Sequence, residues 1–282
     1  MNGMKLAVIS DVHGNYKALE AFLKYIEEYP VDGIICLGDY VTDSPYPPRT
    51  IKLLHEMMEA YDCYVLRGNR EDYLIQNFYK PQGWHPSSPN GALYYTAKHI
   101  TKKDIHFFET LPTEKTLEFP GLPSMTICHG APGIVRGNFE LDRVLKEKVM
   151  KELGTPWLLG GHSHHQEIDV LFGKTYLNPG SLGLSIDGQG RHAQFAVLTG
   201  EDGEWQAQLA TIDYDVDSFL QDFAESGLDE YGMVLNRAVK KTLVTGENYF
   251  FQCVRTVQEM TGLPLHKIPE EVWQAAGNKL GL

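Results

Sequence analysis

The chain has 282 residues, of which 43% are hydrophobic and 22% are charged, and its formal net charge is −12. This composition is typical of a globular protein and excludes a disordered chain. The acidic charge argues against a protein that binds long DNA or RNA, because nucleic-acid phosphates attract a basic surface. The sequence has no apolar run of about 18 residues and no signal-peptide core before Asp11, so we predict a cytoplasmic protein without membrane contact.

Short apolar runs alternate with helical patterns through most of the chain, which is typical of an α/β fold. Strands are predicted at 5–10, 33–37, 63–66, 125–128, 157–159 and 175–177, and a hairpin pairs 193–198 with 205–212. Helices are predicted from the N-cap Asn15 to a point before Pro30, from Pro48 onward, and over 92–99 and 102–111. Between the helices predicted at 92–99 and 102–111 and around them, we predict irregular structure over 72–124.

The remainder of the chain is predicted to be helical, because apolar residues recur at helical spacing over 216–223, 233–243, 249–260 and 272–280. We therefore predict an α/β domain over residues 1–215 and a C-terminal helical extension over 216–282 that packs on it. The extension is expected to stabilise or assemble the protein without taking part in the chemistry, and a homo-oligomer stays open. The four cysteines lack CxxC spacing, which favours buried reduced thiols.

Residues that can bind a metal follow five apolar runs, namely Asp11, Asp39, Asn69, His129 and His162. Two of them have a partner two positions further on, His13 and His164, and extended backbone would place each pair on one side. The C-terminal ends of strands line one edge of an α/β sheet, so these side chains are expected to converge.

The ligand chemistry consists of carboxylate and amide oxygens with imidazole nitrogens and no thiolate, which suits Mn, Fe, Zn or Co. Seven ligands exceed what one tetrahedral ion needs. Two ions that share a bridging carboxylate would use all seven and leave room for water and a phosphate substrate.

Together these positions resemble a known family. The blocks are Asp11-Val12-His13-Gly14-Asn15, Gly38-Asp39, Gly68-Asn69, His129-Gly130 and Gly161-His162-Ser163-His164. In order and spacing they resemble the five blocks of the calcineurin-like metallophosphoesterases. The resemblance covers residues 4–215 and is strongest to the small bacterial and archaeal phosphodiesterases, whose relatives include diadenosine tetraphosphate hydrolases.

The resemblance implies a four-layer αββα sandwich, of the α/β (α+β) class, around two metal ions (Mn, Fe or Zn). By this resemblance Asp11, His13 and His164 hold the first ion, Asn69, His129 and His162 hold the second, and Asp39 bridges them. The implied activity is attack by a metal-bridging hydroxide on a phosphodiester or phosphoanhydride. The implied substrate is a small phosphate compound such as a dinucleoside polyphosphate or another nucleotide.

One position departs from the family. A histidine credited with protonating the leaving group usually follows the metal-binding asparagine, but here Arg70 follows Asn69. Arginine stays charged and can clamp a phosphate, yet it cannot donate a proton. Arg70 is therefore a candidate catalytic and substrate-binding residue, and the alternative is an ion pair with Glu71 or Asp72 at a helix start.

Other polar and aromatic residues give weaker signals. Asp43 follows the bridging aspartate by four positions and is interpreted as a loop residue rather than a ligand. Four aromatic residues form either a cap that stacks a nucleobase or part of the core, namely Trp84, His85, Tyr94 and Tyr95.

Three other functions compete with a small-molecule phosphodiesterase. One is a phosphomonoesterase or an enzyme similar to protein phosphatases. Another is a metal-binding regulatory protein that Arg70 has made catalytically weak, against which the complete ligand set argues. A nuclease shares the metal chemistry but needs a basic track, which the net charge of −12 argues against.

Overall fold

The computed structural model describes residues 3–282 and contains two five-stranded sheets. The strands of the first sheet are β1 (Met4–Ile9), β2 (Gly33–Cys36), β3 (Cys63–Val65), β9 (His192–Glu201) and β10 (Glu204–Asp213). Their order is β10-β9-β1-β2-β3. Strands β1, β2 and β3 are parallel, β9 is antiparallel to β1, and β10 is antiparallel to β9. Strands β9 and β10 form the predicted hairpin.

The strands of the second sheet are β4 (Glu114–Phe119), β5 (Leu122–Cys128), β6 (Trp157–Leu159), β7 (Gln166–Leu171) and β8 (Lys174–Pro179). Their order is β4-β5-β6-β8-β7. The central strands β5, β6 and β8 are parallel, and the edge strands β4 and β7 are antiparallel to their neighbours. Parallel strands in both sheets therefore carry their C-terminal loops toward a common edge.

The two sheets pack face to face, and alternation along the strands separates the two sides of each sheet. In β1, Leu6 and Val8 contact the second sheet, whereas Ala7 and Ile9 contact helices on the outer side. Residues of the second sheet that complete the inner core include Met125, Ile127, Leu159 and Leu177. Successive side chains of a strand point to opposite faces of the sheet, so they alternate between the two layers that cover it.

Helices cover both outer faces. The first sheet is covered by α1 (Tyr16–Glu28), α2 (Pro47–Ala60), α3 (Asn69–Tyr79), α4 (Gly91–His99) and α5 (Lys102–Thr110). The second sheet is covered by α6 (Arg143–Glu152), which buries Met150 against Leu158 and Tyr176. The order of layers is helix, sheet, sheet, helix, so the predicted four-layer sandwich is confirmed.

Four elements were absent from the sequence predictions: β4, β7, α3 and α6. In β4 only Leu117 and Phe119 are buried, and none of the residues of β7 is fully buried. In α6 the buried positions are Lys146 and Met150 alone. Edge strands and peripheral helices bury few side chains, so they leave little apolar periodicity in the sequence.

The C-terminal segment is helical, as predicted, and consists of α7 (Val216–Glu225), α8 (Leu228–Thr245), α9 (Tyr249–Thr261), a short 3₁₀ helix (Leu265–Lys267) and α10 (Glu270–Lys279). Phe219 and Phe223 of α7 pack with Tyr16 and Tyr95 of the preceding part of the chain. A second cluster centres on the fully buried Trp273. The helical segment thus packs on the α/β part, while the boundary at residue 215 stays a prediction.

Over residues 3–282, no helix combines the length and the apolar character needed to cross a lipid bilayer. The four cysteines are free thiols in this part of the chain, as predicted, and Cys63 is half-buried while the other three are buried.

We predict that Gly91 is required where α4 meets α8. A Cβ atom at this position would overlap the carbonyl oxygen of Tyr231, so the two helices would have to separate. Gly91→Ala should lower the free energy of unfolding by about 1–3 kcal/mol, measured by chemical denaturation. Gly154→Ala is the control, because a Cβ there meets no described atom within 4 Å, and its effect should stay below about 0.5 kcal/mol. Equal stability of the two variants would contradict close packing of the helical segment.

Candidate metal centre

Loops at the C-terminal ends of five strands bring the predicted ligands together. Asp11, Asp39 and Asn69 follow β1, β2 and β3 of the first sheet, and His129 and His162 follow β5 and β6 of the second. Six of the seven predicted ligands form two triplets whose ligand atoms lie within 4.8 Å of one another: Asp11, His13 and His164, and Asp39, His129 and His162. The convergence expected from the strand ends is therefore present.

The first triplet has both imidazole rings fixed by hydrogen bonds at Nδ1. The Nδ1 atom of His13 is 3.1 Å from Asp43 Oδ2, and that of His164 is 2.9 Å from the carbonyl oxygen of Leu184. A carboxylate and a carbonyl can only accept, so each Nδ1 donates. The Nε2 atoms of both rings consequently face Asp11 Oδ1, at 3.6 Å for His13 and 3.2 Å for His164.

The second triplet is built in the same way. His129 donates from Nδ1 to the carbonyl oxygen of Leu37 at 2.9 Å, a bond that joins the second sheet to the first. Its Nε2 atom lies 3.2 Å from Asn69 Oδ1, so the seventh predicted ligand adjoins this triplet. His129 and Asn69 are buried, and His162 is partly exposed.

Asp39, a member of the second triplet, also lies close to the first. Its Oδ2 atom is 3.4 Å from Nε2 of His129 and 3.9 Å from Nε2 of His13. Its Oδ1 atom accepts a hydrogen bond from the backbone N–H of Arg70 at 2.8 Å. One carboxylate oxygen thus faces an imidazole nitrogen from each triplet.

Two features of the first triplet fit a bound cation. Asp11 Oδ1 is buried and has no hydrogen-bond partner among residues 3–282. The Nε2 atoms of His13 and His164 are 2.9 Å apart, although both rings already donate from Nδ1. Two nitrogen lone pairs at this distance would repel each other, so the metal-free site needs a proton between them, and a bound metal ion would replace that proton. The donor set of carboxylate, amide and imidazole suits a divalent transition metal.

The backbone at the site differs from the extended geometry assumed for the two ligand pairs. Asp11, His13, Asp39, His162 and His164 all have positive φ angles, between 48° and 65°. Residues with a side chain rarely adopt this left-handed conformation, and it clusters at functional sites. The i,i+2 spacing placed His162 and His164 on one side of an extended backbone, but they lie in different triplets, in agreement with the assignment that the family resemblance implied.

Arg70 does not form the ion pair with Glu71 or Asp72 that the alternative interpretation required. Asp72 pairs with Arg67, at 2.8 Å between Oδ1 and Nε. The guanidinium of Arg70 instead has Nη2 3.1 Å from Asp43 Oδ2 and Nε 4.0 Å from Asp39 Oδ2. Its charge is therefore directed at the candidate metal centre.

Asp43 is a residue whose importance the sequence interpretation missed, and it belongs to neither triplet. It is buried, and its Oδ2 atom contacts both the Nδ1 atom of His13 and the guanidinium of Arg70 at 3.1 Å. Thr42 Oγ1 donates a third hydrogen bond at 2.8 Å. The only sequence signal for this role of Asp43 is its place in a polar loop, four residues after Asp39.

Glu71 is a second missed residue. Its fully buried carboxylate accepts 2.9 Å hydrogen bonds from the backbone N–H groups of Gly68, Asp39 and Tyr40. These bonds connect the loop after β2 to the start of α3. A glutamate three residues after an N-cap position is a known capping signal, which could have identified it.

The four aromatic residues considered as a nucleobase cap do not assemble into one. Tyr95 is buried in the core and packs against Tyr231, and Tyr94 also contacts Tyr231. His85 is exposed. Of the four, Trp84 lines an open cleft together with Tyr73, Leu93 and His266.

The ionisation of the histidines reflects the carboxylates around them. Burial lowers the pKa of His13, but the neighbouring carboxylates of Asp11 and Asp43 outweigh burial and raise the pKa to about 9. Burial likewise lowers the pKa of His129, and the charges of Asp39 and Asp11 raise it to about 10. For His162, burial and the neighbouring His129 charge lower the pKa to about 4.

Comparison with known proteins gives the class. Residues 4–203 match the model of the calcineurin-like phosphoesterase superfamily domain. This match spans more than half of the chain and includes all seven candidate ligands. The chain belongs to the calcineurin-like phosphoesterase superfamily and is a metal-dependent phosphoesterase.

Individual relatives share sequence or fold with most of the chain. The protein MJ0912 of Methanocaldococcus jannaschii is 25% identical over 243 residues, which are 80% of this chain and 94% of that protein. The hypothetical protein PH1004 of Pyrococcus horikoshii OT3 has a similar fold, with a TM-score of 0.73, 20% identity and coverage of 87% of this chain and 99% of that one. A metallophosphoesterase of Sphaerobacter thermophilus gives a TM-score of 0.64 at 23% identity, covering 87% and 100%.

The two structural alignments cover more of the chain than residues 1–215 contain. Part of the helical segment is therefore shared with these structures, although we expected the likeness to end at residue 215.

We predict that metal binding releases protons at neutral pH. With pKa values of about 9 and 10, His13 and His129 are protonated at pH 7, and both must lose a proton to become ligands. Titration calorimetry with Mn²⁺ in buffers of different ionisation enthalpy should therefore report about two protons released, and affinity should fall as the pH is lowered.

His13→Ala should release about one proton fewer. His106→Ala is the control, because His106 lies on the surface beside Glu109 and should leave the count unchanged. Binding at pH 7 without any proton release would contradict protonation of His13 and His129 in the metal-free protein.

Proposed function

We propose that the protein is a dinuclear metal phosphohydrolase that cleaves a phosphodiester or phosphoanhydride of a small molecule. The observation that carries this proposal is the position of Asp39, whose Oδ2 atom lies within 4 Å of an imidazole from each triplet. A shared carboxylate is the usual connection between two metal ions in phosphate-transfer hydrolases.

In this proposal each triplet holds one ion. Asp11, His13 and His164 bind the first, His129 and His162 bind the second together with Asn69, and Asp39 bridges them. When bound, the ions supply Lewis-acid activation of water and neutralise phosphate charge. The chain's own contribution is to fix the ligands, because Asp43, Leu184 and Leu37 hold the three imidazole Nδ1 atoms.

Arg70 is proposed to bind a phosphate oxygen next to the metal centre. Its guanidinium is held by Asp43, and its side chain is only 18% exposed, so it is positioned before substrate arrives. A planar guanidinium suits a phosphate, and arginine does not donate its proton at neutral pH. The leaving group must therefore depart without a proton from this side chain.

A nucleobase of the substrate is proposed to occupy the open cleft lined by Tyr73, Trp84, Leu93 and His266. Leu93 also lines the pocket that contains Arg70, so the two cavities lie on either side of this residue. Aromatic side chains stack on nucleobases of any sequence, and this supports a nucleotide as the substrate class.

We predict two metal ions for each chain, bridged by Asp39. Elemental analysis after reconstitution with Mn²⁺, Fe²⁺ or Zn²⁺ should give about two ions in the wild type. Asp39→Asn should weaken both positions, whereas His13→Ala should chiefly affect one. Asp169→Asn is the control, because Asp169 lies on the edge strand β7 and pairs with Lys146. Loss of a single ion in both site variants would refute the bridging assignment.

Leaving-group dependence tests the proposed role of Arg70. The metal-loaded enzyme should hydrolyse a dinucleoside tetraphosphate and bis-p-nitrophenyl phosphate with higher kcat/KM than an alkyl phosphomonoester, because protonation of a basic leaving group is worth about 10²–10⁴-fold. Arg70→Ala should lower kcat/KM by about 10- to 100-fold on the first two substrates. Arg70→His should narrow the gap to the alkyl ester.

Arg143→Ala is the matched control, because Arg143 lies on the surface of α6 and pairs with Glu147. If Arg70→Ala behaved like this control on every substrate, Arg70 would not be a phosphate ligand. If the metal-loaded protein hydrolysed none of the substrates, the proposed function would be wrong and a regulatory metal-binding role would replace it.

A further inference from the structure

A narrow pocket lies directly beside Arg70 and is closed by the C-terminal helical segment. Asp43 and Arg70 form its polar side next to the metal centre. Leu235 and Val239 of α8, with Phe250 of α9, form much of its apolar side. The helical segment therefore contributes side chains to a space that adjoins the proposed phosphate position.

Two buried polar atoms without a hydrogen-bond partner in the described chain belong to residues that line this pocket. They are Nε of Arg70, which can only donate, and Oδ1 of Asn236, which can only accept. Asn236 is 1% exposed. Unpaired polar atoms at such burial are rare, and each requires an explanation.

The orientation of Asn236 is fixed by its other amide atom. Nδ2 donates to Asp229 Oδ1 at 2.7 Å, and the second oxygen of Asp229 accepts from Lys240 at 2.6 Å. A carboxylate that is engaged in this way accepts and does not donate, so the nitrogen of Asn236 must face Asp229. The amide oxygen is left for another donor.

The backbone that carries Asn236 is also fixed. Helix α8 is interrupted at Met233, which has a φ angle of 47°, and the chain continues as helix from Val234. Ser88 Oγ accepts a hydrogen bond from the N–H of Val234 at 3.1 Å and donates to Glu270 Oε1 at 2.6 Å. Three separated parts of the chain thus determine where α8 resumes and where Asn236 lies.

We propose that Asn236 is a specificity-determining residue, whose Oδ1 atom accepts a hydrogen bond from a hydroxyl group of the alcohol or sugar attached to the substrate phosphate. A ligand with a phosphate acceptor at one end and a hydroxyl donor at the other satisfies both Arg70 Nε and Asn236 Oδ1. Leu93, Leu235 and Val239 line the same pocket and would contact the carbon skeleton of such a ligand. This inference rests on the proposed function, because it places the phosphate beside Arg70.

The test compares pairs of ligands that differ only in the hydroxyl group. Propylphosphonate and 3-hydroxypropylphosphonate carry the same charge and cannot be hydrolysed at the carbon–phosphorus bond, and homologues with two or four carbons vary the reach. Calorimetry with the full-length Mn²⁺-loaded protein should show about 10-fold tighter binding of the hydroxylated compound at the best chain length. Adenosine 5′-monophosphate and its 2′,3′-dideoxy analogue, used as inhibitors, distinguish a sugar hydroxyl from that of a short diol.

Variants of Asn236 locate the effect. Asn236→Leu should bring the affinity ratio of each pair close to one. Asn236→Gln keeps the acceptor but extends it, so the preferred alkylphosphonate should become one carbon shorter, and this variant decides the question if Asn236→Leu fails to fold. Asn278→Leu is the matched control, because Asn278 is exposed on α10, and its ratio should equal that of the wild type.

The outcomes separate this inference from the proposed function. A hydroxyl preference in either pair that is lost in Asn236→Leu or shifted in Asn236→Gln supports the inference. Hydrolysis of bis-p-nitrophenyl phosphate without any hydroxyl preference, or with a preference that both Asn236 variants retain unchanged, overturns the inference alone. Failure of the metal-loaded protein both to hydrolyse that ester and to bind any phosphonate overturns the proposed function and the inference with it.

Discussion

The carboxylate of Asp11 joins the two sheets at the edge where the candidate metal centre lies. Its Oδ2 atom accepts hydrogen bonds from Ser10 Oγ at 2.5 Å and from the backbone N–H of His162, on the other sheet, at 2.9 Å. Its Oδ1 atom faces the imidazoles of His13 and His164. A fully buried carboxylate destabilises the folded protein unless opposite charges compensate it. The surrounding histidines and the proposed metal ions therefore stabilise this contact between the sheets, in addition to their proposed role in catalysis.

The same junction explains the strained backbone. Five of the seven candidate ligands have left-handed φ angles, and this conformation costs about 1–2 kcal/mol for a residue other than glycine. Such conformations persist where surrounding contacts determine them, and here the buried hydrogen bonds of Glu71 and Asp11 do so. Contacts within the folded sheets thus keep the candidate ligands in left-handed conformations that a short peptide would not maintain.

Asp43 connects the candidate metal centre to the residues that surround it. This carboxylate contacts a metal-triplet histidine, His13, and the guanidinium of Arg70, so the proposed metal and phosphate positions share one anchor. Beyond Arg70, the pocket wall comes from α8, and Asn236 is fixed there by Asp229. The helical segment therefore lies close enough to the site to influence which substrate enters, a role that its amphipathic sequence alone did not indicate.

The sequence by itself determined the α/β class of the fold, because buried strands need apolar runs, and its resemblance to a known family implied the two-sheet sandwich. It also predicted the candidate ligands, because metals need particular donor atoms, and the structure brings these residues together. It left β7 and α6 undetected, since peripheral elements bury too little to impose a pattern. The i,i+2 spacing placed His162 and His164 on one side, whereas the left-handed turns direct them to different triplets, as the family resemblance had implied. The partners of Arg70, the anchoring by Asp43 and Glu71, and the unpaired oxygen of Asn236 were decided only by the tertiary structure. Each of these depends on contacts between segments far apart in the chain, and no local pattern of residue types encodes such distances.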